Sequence, residues 1–177
     1  RQVFDSRGNP TVEAEIFLDD GLSASAISPS GASTGAFEAH ELRDKEQNKF
    51  LGKSVNTAVQ NINSKISNKL KNFVFNQQEN IDKILLELDG SENKVNLGAN
   101  ATLAVSLAYA KCTAIANKES LYKSLGKSYS LPMPLMNIIN GGAHADNDLN
   151  IQEFMIRPDS AKNFTDAIEK CFLVIQN

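Results

Sequence analysis

Apolar and polar side chains alternate from residue 11 to residue 28. Val12, Ala14, Ile16 and Leu18 fall on one face and Glu13 and Glu15 on the other, the period-two pattern of a strand with one buried side. Asp19-Asp20-Gly21 interrupts the run with a hairpin signal, and Leu22 to Ser28 reads as the returning strand. With a strand at the start of the chain, clipped by its first residue, the pattern predicts a three-stranded antiparallel meander. Helical spacing follows. A charged stretch from Phe37 to Asp44 reads as a helix carrying His40. Val55, Ala58, Val59, Ile62, Ile66 and Leu70 form one apolar stripe, and Ile81, Ile84, Leu85 and Leu88 form a second. Asp89-Gly90 is a helix exit. Ala99 to Ala116 is apolar nearly all round, which predicts a helix in the middle of a domain, and Leu121 to Leu125 is a short helix closed by Gly126. Strands followed by a helical cluster make an α+β domain over residues 1–128.

The pattern changes after a linker at Ser128 to Pro134. Leu135 to Ile139 is an apolar strand, Asn140-Gly-Gly opens a loop, and Asn150 to Arg157 is a second strand closed by Pro158. A helix begins near Asn163, and its apolar positions (Phe164, Ala167, Ile168, Cys171, Phe172, Ile175) keep their spacing almost to the last residue. No stop signal follows it, and the chain opens on Arg1 rather than Met. Both ends therefore read as cut, and residues 129–177 read as the truncated start of a second domain.

Composition narrows the class. With 177 residues, 41% hydrophobic and 22% charged, the chain suits a soluble globular protein. A net charge of −3 gives no reason to expect nucleic acid or an anionic membrane as partner. No apolar run is long enough to cross a bilayer. Cys112 and Cys171 fall at apolar helix positions without zinc or redox spacing, so they read as buried thiols in a reducing compartment.

Four strings carry the candidate chemistry. Ser30-Gly31-Ala32-Ser33-Thr34-Gly35 offers hydroxyls and backbone N–H groups that can converge on an anion or a hard cation. Asp5-Ser-Arg-Gly-Asn-Pro-Thr-Val-Glu13 is charged around a turn. Asn137-Ile-Ile-Asn-Gly-Gly-Ala-His-Ala-Asp146 sets His144 two residues after a glycine pair. Gln152-Glu-Phe-Met155 puts Glu153 in an otherwise apolar strand, where a carboxylate is costly to bury without a partner. Neighbouring strand residues point to opposite faces, so Gln152 and Glu153 can serve one site only if the strand end is twisted or bulged.

Together these strings resemble the enolase family, of bacterial type, along the whole chain. The resemblance implies an α+β cap domain followed by the start of a TIM-like α/β barrel whose first two strands are joined without a helix. It implies a hydro-lyase of glycolysis, cytoplasmic with a secondary surface pool in some members, and a homodimer or higher homo-oligomer. Its substrates would be 2-phosphoglycerate and phosphoenolpyruvate. Removing a proton beside a carboxylate piles up negative charge, and two Mg²⁺ ions would offset it. By resemblance, Ser33 ligates the second Mg²⁺ when its glycine-flanked loop closes as a lid. Gly31 and Ala32 of that loop bind substrate, and His144 lies near the phosphate and the departing hydroxyl. Gln152 lines the substrate pocket, and Glu153 assists the acid that expels hydroxide. Asp5 to Glu13 belongs to structure and the dimer contact, and His40 matches no family site. The family's base lysine, its Asp-Glu-Gly-Gly acid and its three metal carboxylates match nothing here, so the piece is expected to be inactive and poorly soluble by itself. Two other readings stay open at this point: a superfamily racemase or sugar-acid dehydratase, and a non-catalytic interaction domain.

Overall fold

The computed structural model describes all residues from 1 to 177 except Ala32, Asn72, Phe75 and Asn76. It divides into two compact units, the first comprising residues 1–31 and 35–125 and the second residues 126–177 together with the short stretch around Ser33 and Thr34.

The first unit opens with the meander that the alternation predicts. Strands β1 (Gln2–Phe4), β2 (Pro10–Phe17) and β3 (Ser23–Ser28) pair antiparallel in that order, with Gln2 opposite Val12 and Val12 opposite Ser28. Val12, Ala14, Ala24 and Ala26 are buried on one face. The hairpin turn is tied by the Asp20 carboxylate, which accepts the Leu22 N–H at 3.0 Å, and Gly21 takes the left-handed φ of 88° that the turn needs. Thr11 and Ser54 are also buried, and Ser54 donates to the Gln2 side chain at 3.1 Å.

The helices close over this face. Helix α1 (Asn56–Asn61) runs through a single π-turn at Ile62–Ile66 into α2 (Ser67–Leu70). Its inward positions Ala58, Ile62, Ile66 and Leu70 recur every four residues. That spacing drifts about 40° per step in a regular α-helix, and the wider π-turn takes up part of the drift. The first-turn N–H groups of Asn56 and Thr57 are accepted by the Asp44 carboxylate at 2.9 Å each, a cap supplied from a distant loop. Helix α3 (Gln78–Asp89) ends at Gly90 with φ 67°. Helix α4 (Ala99–Ala116) packs on the sheet through Ala101, Ala104 and Ala108, all fully buried, and their small size lets the helix lie close to Ala24 and Ala26. Helix α5 (Leu121–Ser124) is one turn. Cys112 is buried, as expected.

One expectation fails here. Residues 37–44 form no helix, and His40 lies in an extended segment. The backbone of this segment is satisfied elsewhere. The His40 N–H donates to the Asn93 carbonyl (2.7 Å), its carbonyl accepts from the Ala99 N–H (2.8 Å), and Asn100 bridges both backbone groups of Leu42. Partners so far away in sequence outweigh local helix preference.

In the second unit, β4 (Met136–Asn140) pairs antiparallel with β5 (Glu153–Ile156), with a register shift between Asn137 and Ile139. The second strand is shorter than its sequence suggests, because Asn150 to Gln152 precede it as irregular backbone. Helix α6 (Phe164–Gln176) is capped by the Asn163 side chain, which accepts the Asp166 N–H at 2.9 Å. Ala167 and Cys171 are the buried apolar side chains of this unit among the described residues. No helix among the described residues is long and apolar enough to cross a membrane.

Candidate functional site

The loop after β4 is built by its two glycines. The Gly141 N–H donates to the Gln152 carbonyl at 2.9 Å and the Gly142 N–H to the Leu149 carbonyl at 2.8 Å, so the loop folds back on the residues leading into β5. A Cβ on Gly141 would lie 2.4 Å from the Ile151 carbonyl oxygen and 2.7 Å from Leu149 Cβ, and Gly142 adopts φ 53°. A side chain at Gly141 cannot be accommodated without movement, and one at Gly142 is strained by its left-handed φ. The chain then makes a 3₁₀ turn, Gly142–His144, whose last N–H donates to the Gly141 carbonyl at 3.0 Å.

This fold-back sets His144 between two side chains of the second strand's entrance. Its Nδ1 lies 2.7 Å from Glu153 Oε1, and its Nε2 lies 3.0 Å from the Gln152 side-chain amide nitrogen. His144 and Glu153 are each about a quarter exposed, 24% and 29% at the side chain, so the trio is reachable by a small ligand. The arrangement is chemically consistent. A carboxylate at Nδ1 keeps the proton on that nitrogen and leaves Nε2 as an acceptor for the Gln152 amide. Glu153 thus orients the imidazole, and Gln152 holds its opposite edge.

The conflict between Gln152 and Glu153 is resolved by the strand boundary. Gln152 precedes β5, while Glu153 opens it opposite Asn140, so strict alternation does not bind the pair. The loop is further closed by Asn147, whose side-chain amide donates to the Asn140 carbonyl at 3.0 Å.

Gly31 and Ser33 lie exposed in the loop that follows β3, and Ala32 lies outside the described residues. Sequence reasoning missed what holds the start of that loop. The Ser30 hydroxyl donates to Glu41 Oε1 at 2.5 Å, and Arg43 Nη2 donates to Ser30 Oγ at 2.5 Å and to Glu41 Oε1 at 2.7 Å. Arg7 Nη2 donates to the Ser30 carbonyl at 2.5 Å. The signal was present in Glu41-Leu42-Arg43. Side chains two apart diverge on a helix but share a face in extended backbone, so the helix expectation hid the pair. Nearby, Asp5 Oδ1 accepts the N–H groups of Asn9 and Arg7, both at 2.9 Å. Those bonds, with the Arg7 and Arg43 charges, hold its carboxyl below the usual range.

A hard divalent cation needs several oxygen ligands. Ser33 offers one hydroxyl, and no three His, Cys, Asp or Glu side chains gather into a metal-binding group among the described residues.

A family model described as the enolase N-terminal domain matches residues 1–125, and one described as the enolase C-terminal TIM barrel domain matches residues 128–177. An enolase from Pelagibacter ubique (strain HTCC1062) is 59% identical over 179 residues, an alignment that covers 100% of this chain and 43% of the relative. The chain thus spans less than half the length of this relative.

Proposed function

This chain belongs to the enolase family, and we propose that it forms the N-terminal part of a glycolytic hydro-lyase that interconverts 2-phosphoglycerate and phosphoenolpyruvate. Residues 1–128 serve as the cap domain and residues 129–177 open the barrel. His144 meets the phosphate and the departing hydroxyl. Glu153 holds the His144 Nδ1 proton and supports the acid that expels hydroxide, and Gln152 lines the substrate pocket. The loop from Gly31 through Ala32 to Ser33 closes on the substrate. Mg²⁺ supplies charge neutralisation at the substrate carboxylate when bound. Ser33 is this chain's contribution to its ligands and is too few to hold it, so no step is derived through the ion. The working protein is a cytoplasmic homodimer or higher homo-oligomer.

The observation that supports this reading most is the 2.7 Å approach of Glu153 to His144 Nδ1, with Gln152 on the opposite ring nitrogen. An imidazole oriented by a carboxylate and an amide, exposed at the mouth of a glycine-built loop, suits hydrogen bonding or proton transfer at a small anionic substrate. The test is turnover of 2-phosphoglycerate by the full-length protein, followed through the absorbance of the enol phosphate product. His144→Ala is expected to lower kcat by about two orders of magnitude or more, and Glu153→Gln to lower it less. Unchanged turnover in both variants would overturn the assignment.

A further inference from the structure

We propose that Glu41 and Arg43 are positioning residues: with Ser30 they form a neck that fixes both ends of the loop carrying Ser33. The proposal rests on the reading above that this loop takes part in substrate binding. Neither residue is matched to a role by the family strings, and neither lies in the loop itself.

The neck joins segments that are distant in sequence. Arg43 spends both ends of its guanidinium. Nη2 reaches Ser30 Oγ and Glu41 Oε1, while Nη1 donates to the Pro10 carbonyl at 3.2 Å and also to the Lys53 carbonyl. Four acceptors on the end of β3, the start of β2, the Glu41 side chain and the approach to α1 are thus held by one planar fork, which a lysine cannot imitate. Glu41 Oε1 receives the Ser30 hydroxyl and Arg43 together. The Arg43 and Glu41 side chains are only 18% and 32% exposed, so these charge-assisted bonds are partly shielded from water.

Both flanks are then immobilised. Upstream, the Ser30 carbonyl is taken by Arg7. Downstream, residues 40 and 42 are laced to Asn93, Ala99 and Asn100, and Asn100 is itself buried at 3% exposure. Between the flanks, the chain holds a local turn in which the Glu38 N–H donates to the Gly35 carbonyl at 3.2 Å and the Gly35 N–H donates to Glu38 Oε2 at 2.8 Å. A loop tethered at both ends has less freedom to lose when it orders on a ligand. The neck sets where that ordering starts.

The experiment uses the full-length protein with 2-phosphoglycerate and Mg²⁺, and compares Ser30→Ala, Glu41→Ala, Glu41→Gln, Arg43→Lys and, as a control on the loop itself, Ser33→Ala. Ser30→Ala, Glu41→Ala and Arg43→Lys are expected to raise KM about tenfold, the worth of one charge-assisted hydrogen bond, with kcat kept within about twofold. Amide hydrogen exchange is expected to quicken at residues 33–38 and to stay unchanged in β1, β2 and β3. Glu41→Gln keeps an oxygen where Ser30 and Arg43 converge and is expected to retain most of the wild-type KM. Wild-type KM and exchange in Ser30→Ala and Glu41→Ala would overturn the proposal. So would faster exchange spread evenly over the sheet, which is the mark of general destabilisation. If Ser33→Ala leaves turnover intact while the neck variants still quicken exchange at 33–38, the loop's part in substrate binding fails and the mechanical tether stands. If Ser33→Ala is damaging and the neck variants are silent, the neck alone fails.

Discussion

The two units solve opposite problems with the same chain. In the first, apolar side chains from sheet and helices share one core. Val12, Val55, Ile66, Ile81 and Leu97 are at or below 1% exposure, and polar groups such as Asp89 and Asn100 are buried only with their hydrogen bonds made. In the second, Ile139, Phe154, Met155, Phe172 and Ile175 are all between 44% and 57% exposed in this 177-residue chain by itself, which spans 43% of the relative's length. Yet the denser set of candidate catalytic contacts is in this second unit, where one glycine-built loop aligns three polar side chains. Shape in the first unit comes from burial spread over many residues. In the second, site geometry comes from a few close backbone approaches. Damage should therefore be graded in the first unit and abrupt in the second.

The largest effect is expected from the core. Ile66→Ala removes a branched side chain at 1% exposure and is expected to cost about 2–5 kcal/mol, the range for buried aliphatic truncations. In the 177-residue chain by itself, Ile139→Ala, at 44% exposure there, is expected to cost under about 1 kcal/mol. Urea midpoints of the two variants measure the contrast directly, and equal losses would erase it.

The converse substitution sits at Gly141. A single methyl there meets the Ile151 carbonyl oxygen at 2.4 Å and Leu149 at 2.7 Å, so residues 149–152 must move and take Gln152 off His144. Gly141→Ala in the full-length protein is expected to lower kcat/KM by about tenfold to a hundredfold, since displacements near 1 Å at a reacting group have effects of that order. The urea midpoint of the first unit should barely change. Steady-state kinetics beside circular dichroism would separate the two readouts, and a loss of fold in the first unit would break the contrast.

How much of this was legible in the sequence follows the same division. The meander and the stripes of α1 to α3 are periodic because burial is periodic, and Asp19-Asp20-Gly21 and Asp89-Gly90 mark turns whose φ values only glycine takes easily. The stretch from Phe37 to Asp44 was misread because Glu, Ala, Leu and Arg favour helix locally, while the deciding partners are Asn93, Ala99 and Asn100. His144, Gln152 and Glu153 were found through their strings. Their meeting at one ring was not legible, because it depends on where β5 begins. No periodicity announces the neck at Ser30, Glu41 and Arg43, since it needs three segments already brought together.

Acid should sharpen the contrast further. Burial pushes the Asp89 carboxyl up, but hydrogen bonds from Ser91 and from the Leu97 N–H at 2.7 Å outweigh it and hold the group below the usual carboxylate range. A carboxyl depressed in the folded state contributes stability that is complete above its unfolded value, about 3.9, and is lost as pH falls through the folded value. The urea midpoint of the wild-type chain should therefore fall below about pH 4. Asp89→Asn should lower stability at pH 7 by about 1–3 kcal/mol, the range for a buried hydrogen-bonded carboxylate, read as a lower urea midpoint, and flatten the acid limb. A variant with the wild-type acid limb would remove Asp89 from the account.

The smallest effect tests the second unit on its own terms. Helix α6 buries little besides Ala167 and Cys171, so its start depends on local bonds. Asn163 Oδ1 accepts the Asp166 N–H at 2.9 Å, and Asp166 in turn accepts the Lys162 N–H at 2.7 Å and pairs with Lys170 at 2.9 Å. These bonds, the Lys162 N–H foremost, hold the Asp166 carboxyl below its usual range. Asn163→Ala deletes the cap and is expected to cost about 1 kcal/mol, read as faster amide exchange confined to the first turn of α6. Asn163→Asp restores an acceptor at the positive end of the helix and should recover most of the loss. If Asn163→Ala left exchange in that turn unchanged, the packing of Ala167 and Cys171 would be enough to hold the helix, and the second unit would resemble the first more than its exposed side chains suggest.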